Sequence, residues 1–67
     1  MAARPKWGGR RAAALVRATL AAYGDECHLC NERGATSADH LIPRSRGGPD
    51  TLENLRPVHL ACNQRRG

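Results

Sequence analysis

Residues 27–30 read Cys-His-Leu-Cys and residues 59–62 read His-Leu-Ala-Cys, with twenty-eight residues between the two pairs. A tetrahedral zinc ion takes four such nitrogen and sulfur donors, and a two-residue gap lets a tight turn, or one turn of helix, aim both donors of a pair at one ion. The spacing therefore predicts a structural zinc on Cys27, Cys30, His59 and Cys62. The competing reading makes Cys27 and Cys62 small buried apolar residues and His59 a helix-surface residue, and two matched pairs in one short chain weigh against it. His28 is a further nitrogen donor. Inside the Cys-x-x-Cys turn its side chain is expected to point away from an ion held by its neighbours and to lie on the surface.

Such a chain needs a metal. Sixty-seven residues suffice for one domain, and a chain of that size buries only about 60% of its unfolded surface. There is no Phe, one Trp and one Tyr, so the apolar contribution is small even for this length. Three cysteines cannot all pair within one molecule, which favours metal over disulfide. Zinc binding then contributes folding free energy directly.

Eleven Lys and Arg stand against six Asp and Glu, a formal net charge of +5. Ten of the eleven are Arg, whose planar fork grips phosphate oxygens in a bidentate manner. The balance points to a polyanionic partner. No run approaches the ~18 apolar residues of a membrane span. Arg10-Arg11 followed by an Ala- and Leu-rich stretch looks superficially like a secretory or twin-arginine signal, but Arg17 interrupts the would-be apolar core. The stretch is read as a helix of a cytoplasmic protein.

From outside inwards, residues 1–9 combine Pro5, Gly8 and Gly9 with basic side chains and read as a flexible basic arm. Residues 10–23 read as a helix with Ala12, Leu15, Val16, Thr19 and Tyr23 on one face, packed in the core, and Gly24 as its stop. Residues 25–67 form the zinc-stapled part. It runs through the cysteine turn, a short strand over Thr36–Ile42 ended by Pro43, and a Gly-, Pro- and Arg-containing loop over 43–51. An extended segment over Leu52–Val58 and about two helical turns to the end complete it.

Between the zinc pairs, and just past them, come Asp39-His40, Gly47-Gly48, Asn54-Leu55 and Cys62-Asn63, in that order. With these, "CHLC" and "ADHLIPRSRGGPDTLENLRPVHLACNQRRG" closely resemble the HNH endonuclease family, in particular its small zinc-containing members from phages and actinobacteria. The resemblance implies a small α+β fold: N-terminal helix, zinc knuckle, then the ββα-metal (HNH, or His-Me finger) motif. It implies a metal-dependent endonuclease that hydrolyses DNA phosphodiester bonds to 5′-phosphate and 3′-hydroxyl ends. His40 would be the general base, since imidazole titrates closest to working pH. Asp39 would bind the catalytic cation, Asn54 would hydrogen-bond backbone groups across the loop so that His40 is aimed, and Asn63 would give the cation its second protein oxygen. Asp39 and His40 point to opposite faces of an ideal strand, so both serve one site only if the strand end is irregular.

Two departures from the family pattern carry consequences. Asn63 stands where the family name assumes a third histidine, and its amide oxygen favours Mg²⁺ or Mn²⁺ over Ni²⁺ or Zn²⁺ at the catalytic position. The fourth zinc ligand is His59 rather than the more usual cysteine. That leaves a rival in which His59 and Asn63 share the catalytic cation, at the cost of three thiolates without a fourth partner. Arg44, Arg46, Arg65 and Arg66 are expected to contact backbone phosphates of double-stranded DNA, with Lys6, Arg10, Arg11 and Arg17 extending the track. The expected setting is a bacterial or phage-infected cytoplasm, with a terminase or another phage protein as partner. Taken singly, Asp39 reads as a turn former, Asn54 and Asn63 as caps and His40 as a surface histidine. The alternative to an enzyme is a non-catalytic zinc-stabilised module that only binds nucleic acid.

Overall fold

A computed structural model describes residues 6–66 and the side chains of 6–65. The first five residues of the basic arm, the side chain of Arg66 and Gly67 lie outside the described residues. Helix α1 spans Gly9–Tyr23, where six alanines and two leucines favour the helical backbone. Gly24, at φ 83°, closes it with its N–H donating to the Leu20 carbonyl at 2.8 Å. Strands β1 (Ser37–His40) and β2 (Leu55–Val58) pair antiparallel, with Asp39 opposite Arg56 and His40 opposite Leu55. Helix α2 (Leu60–Arg66) follows β2. The architecture is a small α+β fold in which α1 packs on a two-stranded hairpin followed by a short final helix.

Both extended segments are shorter than the sequence suggests. Leu52–Asn54 is a 3-10 turn, not strand, because the Asn54 N–H bonds back to Thr51 O at 2.9 Å and its side chain is drawn into the loop. Within α1 the expected stripe is present, but Ala12 and Thr19 are its buried members. Leu15 and Val16 are half-buried. Small side chains let the helix approach the sheet closely, and Thr19 can be fully buried because its hydroxyl donates to Leu15 O at 2.7 Å. Tyr23 does not pack in the core as expected. It is 41% exposed, with its hydroxyl donating to Leu52 O at 2.9 Å and the Arg56 guanidinium 4.3 Å above its ring.

The largest fully buried side chains are Leu55, Val58, Thr19 and Cys27. Only two of these are aliphatic, each contributing about 1.5–3 kcal/mol on burial, against about 1–2 kcal/mol of backbone entropy for every residue ordered. The core cannot hold the fold alone. It runs directly into the cysteines: Cys27, Ala35 and Val58 form one cluster, with Leu20 and Cys62 against it. No helix of the described residues is long and apolar enough to cross a membrane.

The loop between the strands turns on two glycines. Gly47 caps the 3-10 turn Arg44–Arg46 in the left-handed conformation at φ 83°. Gly48 is buried, and its N–H donates to Pro43 O at 2.9 Å. A Cβ on Gly48 would stand 1.8 Å from the Ile42 carbonyl oxygen. That atom is backbone just past the end of β1, so it cannot swing aside as a side chain would. Gly48→Ala is expected to destabilise the protein by about 1–3 kcal/mol, seen as a fall in melting temperature of roughly 4–8 °C per kcal/mol. An unchanged melting temperature would contradict this account of the loop.

Candidate metal centre and active site

Cys27, Cys30, His59 and Cys62 converge, with one potential ligand atom from each lying within 4.8 Å of all the others. Local backbone geometry makes this possible. Cys27 N–H bonds to Glu32 O and Asn31 N–H to Cys27 O, both at 2.8 Å, and Asn31 takes a left-handed φ of 65° to close the turn. Cys62 lies one turn into α2, three residues after His59. The histidine Nδ1 stands 3.3 Å from Cys30 Sγ and 3.8 Å from Cys62 Sγ. A tetrahedral zinc with ordinary bond lengths separates nitrogen and sulfur ligands by about 3.6 Å, so the four donors fit such an ion.

His59 is oriented from behind. Its Nε2 bonds to the Arg33 carbonyl at 2.9 Å, the outer partner a ligating histidine ordinarily has. With Nδ1 facing the thiols and Nε2 held by Arg33, neither ring nitrogen remains for a cation shared with Asn63. The rival arrangement therefore has no support in the geometry. Burial pushes the Cys27 thiol up, but the backbone N–H groups of His59, Cys30 and Leu29 outweigh it and bring it down to about 6. Cys62 is pushed above the ordinary thiol value, first by burial and then by its bonds to Cys30 and Cys27. His59 is raised chiefly by the Arg33 carbonyl, against burial, with Cys27 adding to the rise.

A second cluster surrounds His40. Its side chain is 10% exposed, and Nε2 lies 2.8 Å from Oδ1 of Asp50, whose own side chain is 2% exposed. Arg44 grips the same carboxylate with Nε at 3.0 Å from Oδ1 and Nη2 at 3.2 Å from Oδ2. Arg11 reaches in from α1, 3.4 Å from Oδ2. Asp50 was not among the candidate site residues, because in a loop of Pro, Gly and Ser an aspartate reads as a turn former. The available signal was His40 itself, which as a base would need an orienting acceptor. Trp7, from the stretch read as a flexible arm, sets its ring edge-on to His40 with centroids 4.7 Å apart.

Asn54 is buried and spans the loop: its Oδ1 accepts from Ile42 N–H at 2.8 Å, and its Nδ2 donates to Ile42 O and Pro49 O, both at 3.0 Å. Asp39 and His40 have different neighbours, as alternation along a strand requires. Asp39 is 5% exposed and its Oδ2 lies 2.9 Å from His28 Nε2. His28 is therefore not the surface residue expected. Its N–H is pinned to Pro57 O at 2.9 Å, which carries the ring over the sheet to Asp39. His28 is nevertheless outside the four-donor group, as its place within the turn suggested. Asn63 stands half-buried on α2, directly after Cys62. Arg46 and Arg65 are exposed, although Arg65 Nη2 also lies 3.8 Å from Cys62 Sγ. Arg44 is half-buried and engaged by Asp50.

Compared with known families, residues 27–67 match the family model described as HNH endonuclease, which is more than half of the chain. No curated protein and no solved structure gives a significant match.

As pH falls, the raised Cys62 takes up its proton before the depressed Cys27 does, so Cys27 marks the lower end of the window for metal retention. Its thiolate, the form that holds a metal, is available above about 6 and is lost as pH falls through about 6. The raised His59 works in the opposite sense, since its proton must leave before Nδ1 can ligate. Zinc retained against a fixed chelator is expected to fall steeply as pH drops below about 6. Zinc held undiminished well into the range where carboxylates protonate would contradict this ligand set.

Proposed function

Given that the chain belongs to the HNH endonuclease family, we propose that it hydrolyses phosphodiester bonds of double-stranded DNA, with His40 as general base and Cys27, Cys30, His59 and Cys62 holding a structural zinc. The observation that carries this reading is the bond from His40 Nε2 to the buried Asp50 carboxylate at 2.8 Å. With Nε2 given to Asp50, Nδ1 is the nitrogen that takes the proton from the attacking water. The carboxylate then stabilises the imidazolium that forms. Arg44 and Arg11 hold the Asp50 carboxylate in place, and Asn54 fixes the loop that carries it.

Asp39 and Asn63 are the residues we assign to a hard divalent cation, Mg²⁺ or Mn²⁺. Their oxygen donors suit such an ion, and Asp39 already has its carboxylate sheltered from solvent. When bound, the cation supplies positive charge against the phosphate and the departing 3′ oxygen. Arg46 and Arg65 are exposed and can reach backbone phosphates, whereas Arg44 does so only by loosening its grip on Asp50. Phosphate contacts of this kind give affinity without sequence choice. Setting and partner rest on the family resemblance alone: a bacterial or phage-infected cytoplasm, with a terminase or other phage protein beside it.

The test is relaxation of supercoiled plasmid by the zinc-loaded protein with Mg²⁺ or Mn²⁺. His40→Ala is expected to lower the nicking rate by about 10²- to 10⁴-fold while DNA binding persists. Activity with Ni²⁺ but with neither Mg²⁺ nor Mn²⁺ would contradict the assignment of Asp39 and Asn63 to that cation. No nicking by the wild type with any divalent ion would support the rival, a zinc module that binds nucleic acid without cutting it.

A further inference from the structure

We propose that His28 is a direct ligand of the catalytic cation, adjacent to Asp39, and supplies from the zinc knuckle the imidazole that the final helix lacks at Asn63. This rests on the reading that Asp39 holds that cation.

Three observations carry it. The first is distance. His28 Nε2 and Asp39 Oδ2 are 2.9 Å apart, and two neighbouring ligands of an octahedral ion with bonds of 2.0–2.1 Å stand about 2.9–3.0 Å apart. The ring nitrogen and the carboxylate oxygen are in hydrogen-bond contact, and an ion that displaces the shared proton would find both donors at a separation it can span without moving either. The second is anchorage. The His28 backbone is bonded to Pro57 O at 2.9 Å, and its neighbour Cys27 is fully buried, so the ring is held by elements that do not depend on Asp39. The third is desolvation. The His28 side chain is 22% exposed and that of Asp39 6%, so both donors are partly stripped of water and together make a ready-made nitrogen and oxygen pair on one side of an incoming ion.

The chemistry follows from the donor set. Asp39 and Asn63 alone offer oxygens, which suit Mg²⁺ as well as Mn²⁺. Adding an imidazole shifts preference toward transition ions, in the order Mg²⁺ below Mn²⁺ below Co²⁺. It also couples the two metal centres, because the turn that presents Cys27 and Cys30 to zinc is the turn that presents His28 to the second ion.

The experiment is calorimetric titration of MnCl₂ and MgCl₂ into the zinc-loaded full-length protein, comparing the wild type with His28→Gln, His28→Ala and Asp39→Asn, with zinc content measured for each. Loss of His28 is expected to weaken Mn²⁺ binding at least about tenfold and Mg²⁺ binding by no more than about threefold, while zinc stays at one per chain. If the His28 variants bind both ions as the wild type does, or lose both equally, the inference is overturned. If Asp39→Asn alone then abolishes binding, the assignment of Asp39 survives. If Asp39→Asn also changes nothing, that assignment falls too. A second measurement needs no variant to fold: Co²⁺ added to the zinc-loaded wild type should produce a hyperfine-shifted imidazole N–H proton resonance for His28. Its absence at saturating Co²⁺ would equally overturn the proposal.

Discussion

Four side chains from two ends of a short segment meet within 4.8 Å, and nearly every other feature of the molecule depends on that meeting. Cys27 and Cys30 come from the turn before the hairpin, while His59 and Cys62 come from the junction of β2 and α2. A core whose large buried aliphatics are Leu55 and Val58 cannot bring these stretches together against chain entropy. A structural zinc contributes apparent folding free energy of about 10–16 kcal/mol in comparable small domains, well beyond what two aliphatic side chains supply. Metal site and core are also continuous, since Cys27 belongs to both.

From that anchor the geometry of the candidate active site follows outward. The knuckle docks on β2 through His28 N–H and Pro57 O, β2 pairs with β1, and β1 presents Asp39 and His40 to its two faces. The loop between the strands then folds back so that Asp50 reaches His40. That return is built from Gly47, whose N–H donates to Arg44 O, from Gly48, whose N–H donates to Pro43 O, and from the Asn54 side chain, which bonds to the backbone of Ile42 and Pro49. Asp50 in turn draws in Arg44 and Arg11, so a helix outside the matched family segment is tied to the candidate base. Trp7 does the same from further upstream.

What could be read from the sequence was whatever depends on local spacing. The two donor pairs, the Ala-rich helix with Gly24 at its end, the existence of a short strand through Asp39-His40 and the terminal helix are each set by neighbours a few residues away. What could not be read depends on how the chain returns on itself. Asp50 is ten residues from His40, and nothing in its local context separates a buried acceptor from a turn former. His28 looked like a surface residue because the turn was considered alone, without the strand it docks on. Tyr23 has helical periodicity for the core, yet its ring serves Arg56 and its hydroxyl serves Leu52.

The central claim is that one metal ion gathers Cys27, Cys30, His59 and Cys62 and thereby holds the fold. Elemental analysis of purified, untagged protein, with and without a strong chelator and followed by amide-proton NMR, tests it most directly. The account requires one zinc per chain and loss of dispersed resonances when zinc is withdrawn. Protein that carries well under one zinc per chain and still gives the spectrum of a folded domain would contradict it.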